Sequence, residues 1–228
     1  MSNREDDDPF ALAPDDIHVW LSWLDVPRER IKDLTAYLSP DELDRADRLR
    51  FEADRRRFVA ARGILRELCC NHTGTPPEQI RFTADDHGKP RLADLPPGLD
   101  LCFNVSHSGA AAAYAFALGA EVGIDIEAPR PDFDDAQIEA SLLPPDLIAR
   151  LLDAPKSIRQ EAFLEEWTAR EALAKATGLG MAHYLAGGVD PADEVGWQSW
   201  DLPKVRGYVG TLVMPAGKWY VSCRQWGA

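Results

Sequence analysis

The stretch that most constrains this chain is EVGIDIE, residues 121–127 of 228. Val122, Ile124 and Ile126 alternate with Gly123, Asp125 and Glu127, and a period of two marks a strand with one buried face. Residues two apart project to the same side, so Asp125 and Glu127 stand together while Ile124 and Ile126 anchor the other face. Two neighbouring carboxylates repel unless something positive sits between them, and an oxygen-only ligand set suits a hard cation such as Mg2+. The plainer alternative is a strand that runs into an exposed acidic turn at Ala128-Pro129.

A chain of this length buries a real core, as one domain or as two half-size ones. The formal net charge of −13 argues against a nucleic-acid partner. The charge is uneven, however: residues 45–66 hold eight arginines against Asp47, Glu52 and Asp54. The cysteines, Cys69, Cys70, Cys102 and Cys223, form no C-x-x-C pair, which points to reduced thiols in a cytoplasmic protein. The five histidines are scattered without zinc-like spacing. The start, MSNREDDDPF, is acidic and does not read as a signal peptide. The longest apolar run, residues 110–120, is too short to cross a bilayer, so no membrane partner is expected.

Taken in order, residues 1–16 read as a flexible acidic lead-in and residues 17–24 as a strand. Ser39 reads as a helix N-cap, with Pro40 at the first helical position and Glu42 completing a capping box; this helix is expected to run through Leu43, Ala46 and Leu49. Residues 54–70 form an amphipathic helix, with Phe58, Ala61, Leu65 and Leu68 on one face and Arg55, Arg62 and Arg66 on another. Those arginines form a solvated face or meet phosphate, which the guanidinium fork binds well. Strands follow at 80–83, 101–108 and 110–118, the last leading into a hairpin at EVGIDIE. Between them lies a turn, residues 85–91, in which Lys89 precedes Pro90 and so takes extended geometry that holds its amine out from the loop. Ser106 and His107 are neighbours on a strand and face opposite ways, which excludes a protease triad; they read as hydrogen-bond donors at a loop, structural or to an anion. Residues 134–152 are helical in two pieces broken at Pro144-Pro145, and residues 157–177 form the longest helix, ending at Gly178. The tail reads as three strands, 197–200, 207–213 and 218–224, of one antiparallel sheet. Residues 58–66 and 167–175 each place an aromatic and a cation eight apart on a long helix followed by β structure, a faint sign of two similar halves divided near residues 118–121.

In the longest helix Trp167, Glu171 and Lys175 fall on one stripe. A Glu–Lys pair at this spacing is usually a surface contact worth a few tenths of a kcal/mol. The indole on the same stripe argues instead that something covers it, and Glu171 is then available to join Asp125 and Glu127 in a three-carboxylate site.

These motifs together resemble the 4′-phosphopantetheinyl transferases of the large, surfactin-synthetase-activating type. The family pattern G-[IV]-D-x-E is met by Gly123-Ile124-Asp125-Ile126-Glu127. The pattern [WF]-[STC]-x-K-E-x-x-x-K is met by Trp167-Thr168-Ala169-Arg170-Glu171 and Lys175, with Arg170 where the family has lysine. His87-Gly88-Lys89-Pro90 resembles its GKP loop, Phe103-Asn104-Val105-Ser106-His107-Ser108 its FNxSHS segment, and Arg57, Phe58, Ala61, Arg62 and Leu65 its R-x-F-x-x-x-R helix. The resemblance spans residues 39–180.

The resemblance implies an α+β fold: a pseudo-dimer of two similar α/β halves in one chain, each a long helix on a small, mainly antiparallel sheet. The division expected is a lead-in (1–16), an N-terminal half with the nucleotide contacts (17–118) and a C-terminal half with the acids and catalytic helix (119–228). It implies transfer of the phosphopantetheine arm of coenzyme A to a serine of an apo carrier protein, with release of 3′,5′-ADP. Mg2+, with Mn2+ left open, would sit on Asp125, Glu127 and Glu171. Lys175 would neutralise phosphate oxygens, and Glu171 is the expected base, directly or through a metal-bound water. The implied coenzyme A contacts are Arg57, Arg62, Lys89, Pro90, Ser106, His107, Asp125 and Lys175. A monomer is expected, with a basic or apolar patch near the cleft for the carrier. No phosphate-binding G-x-x-x-x-G-K-[ST] loop or kinase motif is present, so an ATP-dependent kinase is disfavoured. The alternative of another class is a non-catalytic module that binds coenzyme A or a carrier protein.

Overall fold

A computed structural model describes residues 8–85, 88–141, 143–186 and 194–227. Two long helices of equal length frame it, α3 (Glu52–Thr73) and α6 (Lys156–Thr177), each 22 residues. Each is stopped by a glycine in the left-handed conformation, Gly74 at φ 72° and Gly178 at φ 71°, which a side chain would disfavour. Each helix covers one sheet.

The first sheet has the order β4 (Leu101–Ser108), β5 (Ala111–Leu118), β1 (Asp16–Trp23), β9 (Tyr220–Gln225). The second has the order β6 (Gly123–Glu127), β8 (Val209–Pro215), β7 (Trp197–Asp201). A two-stranded ribbon, β2 (Phe82–Ala84) with β3 (Pro90–Leu92), stands apart. Strand β5 shows how the layers stack. Its Ala112, Tyr114 and Phe116 pack with Ile64, Leu65 and Leu68 of α3, and each of these buried aliphatic side chains contributes roughly 2 kcal/mol. Its alternate residues, Ala111, Ala113, Ala115 and Ala117, face Ile124, Ile126, Leu212 and Met214 of the second sheet. Methyl-sized side chains let the sheets close on each other. The outer side of the second sheet meets Ala172, Leu173 and Ala176 of α6 through Val213. The result is four layers, helix–sheet–sheet–helix, the pseudo-dimer expected.

Several sequence expectations are met closely. Ser39 accepts a hydrogen bond from the Glu42 amide and Glu42 Oε2 accepts one from the Ser39 amide (3.0 Å), the reciprocal box that starts α2 (Pro40–Asp47). That helix stops at Asp47, short of Leu49. The broken helical stretch is α4 (Asp135–Glu139) and α5 (Pro145–Asp153). Two expectations are corrected. EVGIDIE is not a hairpin partner of β5: the chain leaves the first sheet at Gly119 and β6 pairs antiparallel with β8. The tail is not one sheet: β7 and β8 belong with β6, while β9 returns to the first sheet, parallel to β1, with Val19 opposite Cys223. Period-two patterning marks a strand but not its partner. Within the segment expected to be a flexible lead-in, the described part starts at Asp8, and Phe10 stacks on Trp20 at 5.1 Å between ring centres. The short helices α1 (Arg28–Thr35) and α7 (Met181–Ala186) follow β1 and α6 in the chain.

Candidate active site

The seam between the halves is made by two sheet edges, β4 and β6. Asn104, Ser106 and Ser108 lie on one face of β4 because they are two apart. Each reaches across to β6. Asn104 Oδ1 accepts from the Ile124 amide (2.8 Å), Ser106 Oγ donates to Asp125 Oδ1 (2.6 Å), and Ser108 Oγ donates to Glu127 Oε2 (2.7 Å). The alternation in FNVSHS carries this signal, which was missed for Asn104 and Ser108.

Gly123 sets the approach of α6. A Cβ built there would lie 1.9 Å from the Ala172 carbonyl oxygen and 2.5 Å from the Ala176 nitrogen. The bare glycine therefore lets the helix backbone rest on β6, and the side chains of the next turns reach Asp125. Lys175 Nζ donates to Asp125 Oδ1 (2.7 Å) and lies 3.6 Å from Glu171 Oε2. Thr168 and Thr211 meet hydroxyl to hydroxyl at 3.0 Å behind them.

A cleft of about 650 Å³ opens at this seam. Asp125, Glu127, Glu171 and Lys175 line one side; Ser106, His107, Arg62 and Pro90 line the other parts of it. The three acids and Lys175, from segments more than forty positions apart, thus share one wall. Burial raises the Glu127 carboxyl above its ordinary value, and the charge of Asp125 adds to this against the Ser108 hydrogen bond. Glu171 is raised the same way, by burial and then by Asp125, with Lys175 opposing. His107 is lowered, by burial first and then by Lys175. Asp125 Oδ2 is buried with no hydrogen-bond partner among the described residues. A buried carboxylate oxygen left unpaired is costly. Among the described residues no group of three or more His, Cys, Asp or Glu side chains stands assembled for a metal. The acids line one wall but are not closed on a common point, with the Lys175 amine between two of them.

Arg62 and Arg66 do not form a solvated face, whereas the Arg55 side chain is 40% exposed. Arg66 is 2% exposed. Its Nε donates to Glu42 Oε2 (2.8 Å) and its Nη1 to the carbonyls of Pro77 and Ile80. Arg62 Nε donates to Glu42 Oε1 (2.6 Å). Burial works to raise the Glu42 carboxyl, but Arg62, the Ser39 amide and Arg66 together outweigh it and hold the group below its ordinary value. Glu42, Arg45 and Phe58, not named as site residues from the sequence, also line the cleft.

Two expected contacts are not brought to the cleft. Arg57 is held by Asp25 in a two-pronged pair (2.7 and 2.9 Å) and does not line it. The Lys89 side chain is not held out from its loop; Gly88 and Pro90 line the cleft while the amine between them turns into the body. His87 lies outside the described residues. Trp167 is covered by protein: it stacks on Phe163 (6.1 Å) in the cluster of Ile138, Leu147 and Leu151. Arg170 pairs with Glu166 one turn back and is buried there.

This chain belongs to the 4′-phosphopantetheinyl transferase superfamily: residues 121–208 match the superfamily so described, and residues 22–118 match its family described as 4′-phosphopantetheinyl transferase, N-terminal. Among its relatives is the 4′-phosphopantetheinyl transferase HetI of Nostoc sp., 40% identical over 173 residues, which cover 76% of this chain and 73% of HetI. The 4′-phosphopantetheinyl transferase psf-1 of Bacillus pumilus is 31% identical over 77% of this chain and 73% of its own length. The 4′-phosphopantetheinyl transferase Sfp of Bacillus subtilis is 26% identical over 68% of this chain and 66% of its own.

Proposed function

We propose that the cleft binds coenzyme A and that this chain, a 4′-phosphopantetheinyl transferase, moves the phosphopantetheine arm to a serine of an apo carrier protein, releasing 3′,5′-ADP. The observation that carries this is the sharing of one wall by Asp125, Glu127, Glu171 and Lys175 at the seam between the halves. Phosphoryl transfer asks little covalent work of a protein; alignment and charge stabilisation dominate. Lys175 is placed to neutralise oxygens of the pyrophosphate. Neutral His107 donates a hydrogen bond to it, while the one hydroxyl proton of Ser106 goes to Asp125. Glu171, whose carboxyl is biased toward holding a proton, takes the proton of the attacking serine oxygen. Arg62 and the backbone around Pro90 contact the nucleotide; Arg57 and the Lys89 amine drop out of the contact set.

The reading includes Mg2+ held by Asp125, Glu127 and Glu171. The donor chemistry fits: three carboxylates, one buried oxygen without a partner, and two carboxyls raised by burial and mutual repulsion. When bound, the ion supplies charge neutralisation for the pyrophosphate.

The functional halves are residues 17–118 for the nucleotide wall and 119–228 for the acids, with β9 lent back to the first sheet. One chain supplies both walls, which supports a monomer. Free thiols at all four cysteines support a reducing, cytoplasmic setting. No described helix is long and apolar enough to cross a membrane. For docking, Arg45 at the cleft and the exposed Phe51 nearby in sequence support a local basic and apolar patch facing an acidic carrier.

The test is mass spectrometry of several apo carrier proteins after incubation with coenzyme A and Mg2+. A gain of one phosphopantetheine arm, abolished by Asp125→Ala or Glu171→Gln in folded protein, is expected. Coenzyme A binding with no mass change on any carrier would favour the non-catalytic module.

A further inference from the structure

The lysine of the Gly88-Lys89-Pro90 turn is used in a way the turn itself does not suggest. The Lys89 side chain is only 7% exposed. Its three N–H bonds meet three acceptors from two distant segments: Glu121 Oε2 (2.7 Å), the Val122 carbonyl (3.0 Å) and the Lys175 carbonyl (2.9 Å). An ammonium has three donors, so this one is fully spent inside the protein. Glu121 is in turn gripped by Arg91 from the other side of the turn. The loop end is closed as well, since the Lys89 amide donates to Asp85 Oδ1 (2.9 Å) and its carbonyl accepts from the Asp85 amide (3.0 Å).

The choice of acceptors matters. The Lys175 carbonyl lies in the last turn of α6, where carbonyls lack partners within the helix and a cation is favoured by the helix dipole. Lys89 therefore caps α6 from outside the helix. The same residue, Lys175, sends its side chain to Asp125 Oδ1 and to the Ile124 carbonyl (3.2 Å). The Val122 carbonyl sits just ahead of Gly123, where α6 rests on β6. One amine thus joins the cleft-lining turn, the start of β6 and the end of α6.

We infer that Lys89 is a positioning residue: through Glu121, Val122 and the α6 terminus it fixes Lys175 against Asp125, and its amine does not bind coenzyme A. This rests on the proposed function for its kinetic consequence alone; the clamp itself is readable without turnover. Glu121 is then part of the same device although it does not line the cleft.

The experiment compares Lys89→Met, Glu121→Gln and the double variant with the parent chain. Without coenzyme A, amide hydrogen exchange in residues 174–180 should speed up in Lys89→Met. In the transfer assay kcat should fall about 100-fold, the scale expected when reacting groups move by about 1 Å. The Kd for coenzyme A should stay within about threefold, since no ligand contact is lost. Glu121→Gln, at a half-exposed site, should lower kcat in the same direction, and its effect should be non-additive with Lys89→Met, as for residues of one network. Should Lys89→Met fail to fold, Glu121→Gln decides alone. A tenfold weaker coenzyme A affinity with unchanged kcat in Lys89→Met, unchanged exchange at the α6 end, or a Glu121→Gln enzyme with parental kcat would overturn the assignment. Faster exchange in a chain whose parent transfers nothing to any carrier would leave the clamp standing and sink the transferase reading instead.

Discussion

Replacing Gly123 with alanine tests the packing on which the acidic wall depends. The added Cβ would lie 1.9 Å from the Ala172 oxygen where real contacts stay beyond 3.0 Å, so the surfaces must part by at least 3.0 − 1.9 = 1.1 Å. The obstructing atoms are backbone, so no side-chain rotation relieves the clash, and α6 itself has to move. Overpacking of this kind costs about 1–3 kcal/mol, which a domain of ordinary stability survives. The functional cost should be larger in proportion. Glu171 and Lys175 ride on the displaced turns while Asp125 and Glu127 stay on β6, and a shift of about 1 Å between reacting groups costs about 100-fold in rate. Urea unfolding gives the stability term, and steady-state transfer to a carrier gives kcat. Coenzyme A affinity should change much less than kcat, because Arg62 and Pro90 belong to the other half and only the Lys175 contact moves. A folded Gly123→Ala protein with parental kcat would refute the argument that helix seating positions the site.

Other outcomes follow from the same structure. Arg57→Ala should leave the Kd for coenzyme A within about twofold because that guanidinium, held by Asp25, does not line the cleft, whereas Arg62 lines it while paired with Glu42, so Arg62→Ala should raise the Kd about tenfold, as for loss of a charge-assisted hydrogen bond; isothermal titration separates them. EDTA should abolish transfer and Mg2+ should restore it, with Mn2+ as the informative comparison; full activity in exhaustively chelated enzyme would remove the ion from the mechanism. Stability should fall in mild acid through His72, whose buried ring has its pKa lowered from 6.5 to about 4 by burial and then by His18. The unfolded chain takes up this proton below pH 6.5 and the folded one resists until about 4, so the contribution is complete above 6.5 and drains away as pH drops toward 4. At pH 5 it amounts to about 2 kcal/mol, and His72→Phe should shrink the pH 7 to pH 5 difference in urea stability by about that much.

The parts of this architecture that were legible in the sequence are those decided within a few residues. The Ser39–Glu42 box, the proline break before α5, the glycine stop at Gly178 and the alternation at EVGIDIE each depend on local backbone geometry. The acidic wall was legible because helical spacing put Glu171 and Lys175 on one stripe and strand spacing put Asp125 beside Glu127. What escaped was the identity of partners far along the chain. Arg62 and Arg66 read as a solvated face or as partners of phosphate, but Glu42, some twenty positions upstream, pairs with both; a capping residue gives no outward sign of a second role. Lys89 had the right backbone bias, yet a proline constrains the main chain and not the direction of four methylenes. Trp167 was correctly read as covered, but by the cluster that α4 and α5 bring to it, since an apolar stripe does not name what lies on it.

The return of β9 to the first sheet has a consequence for biosynthesis. Strand β1 is made well before its parallel neighbour β9, so one side of β1 has no cover until residue 225 has been made. A nascent chain of this kind carries an open strand edge throughout the interval between the two strands, a standing invitation to pair with other chains. Deleting β9, or crowding it with a bulky insertion, should therefore show up first as poor soluble yield, although every residue of the acidic wall is still encoded.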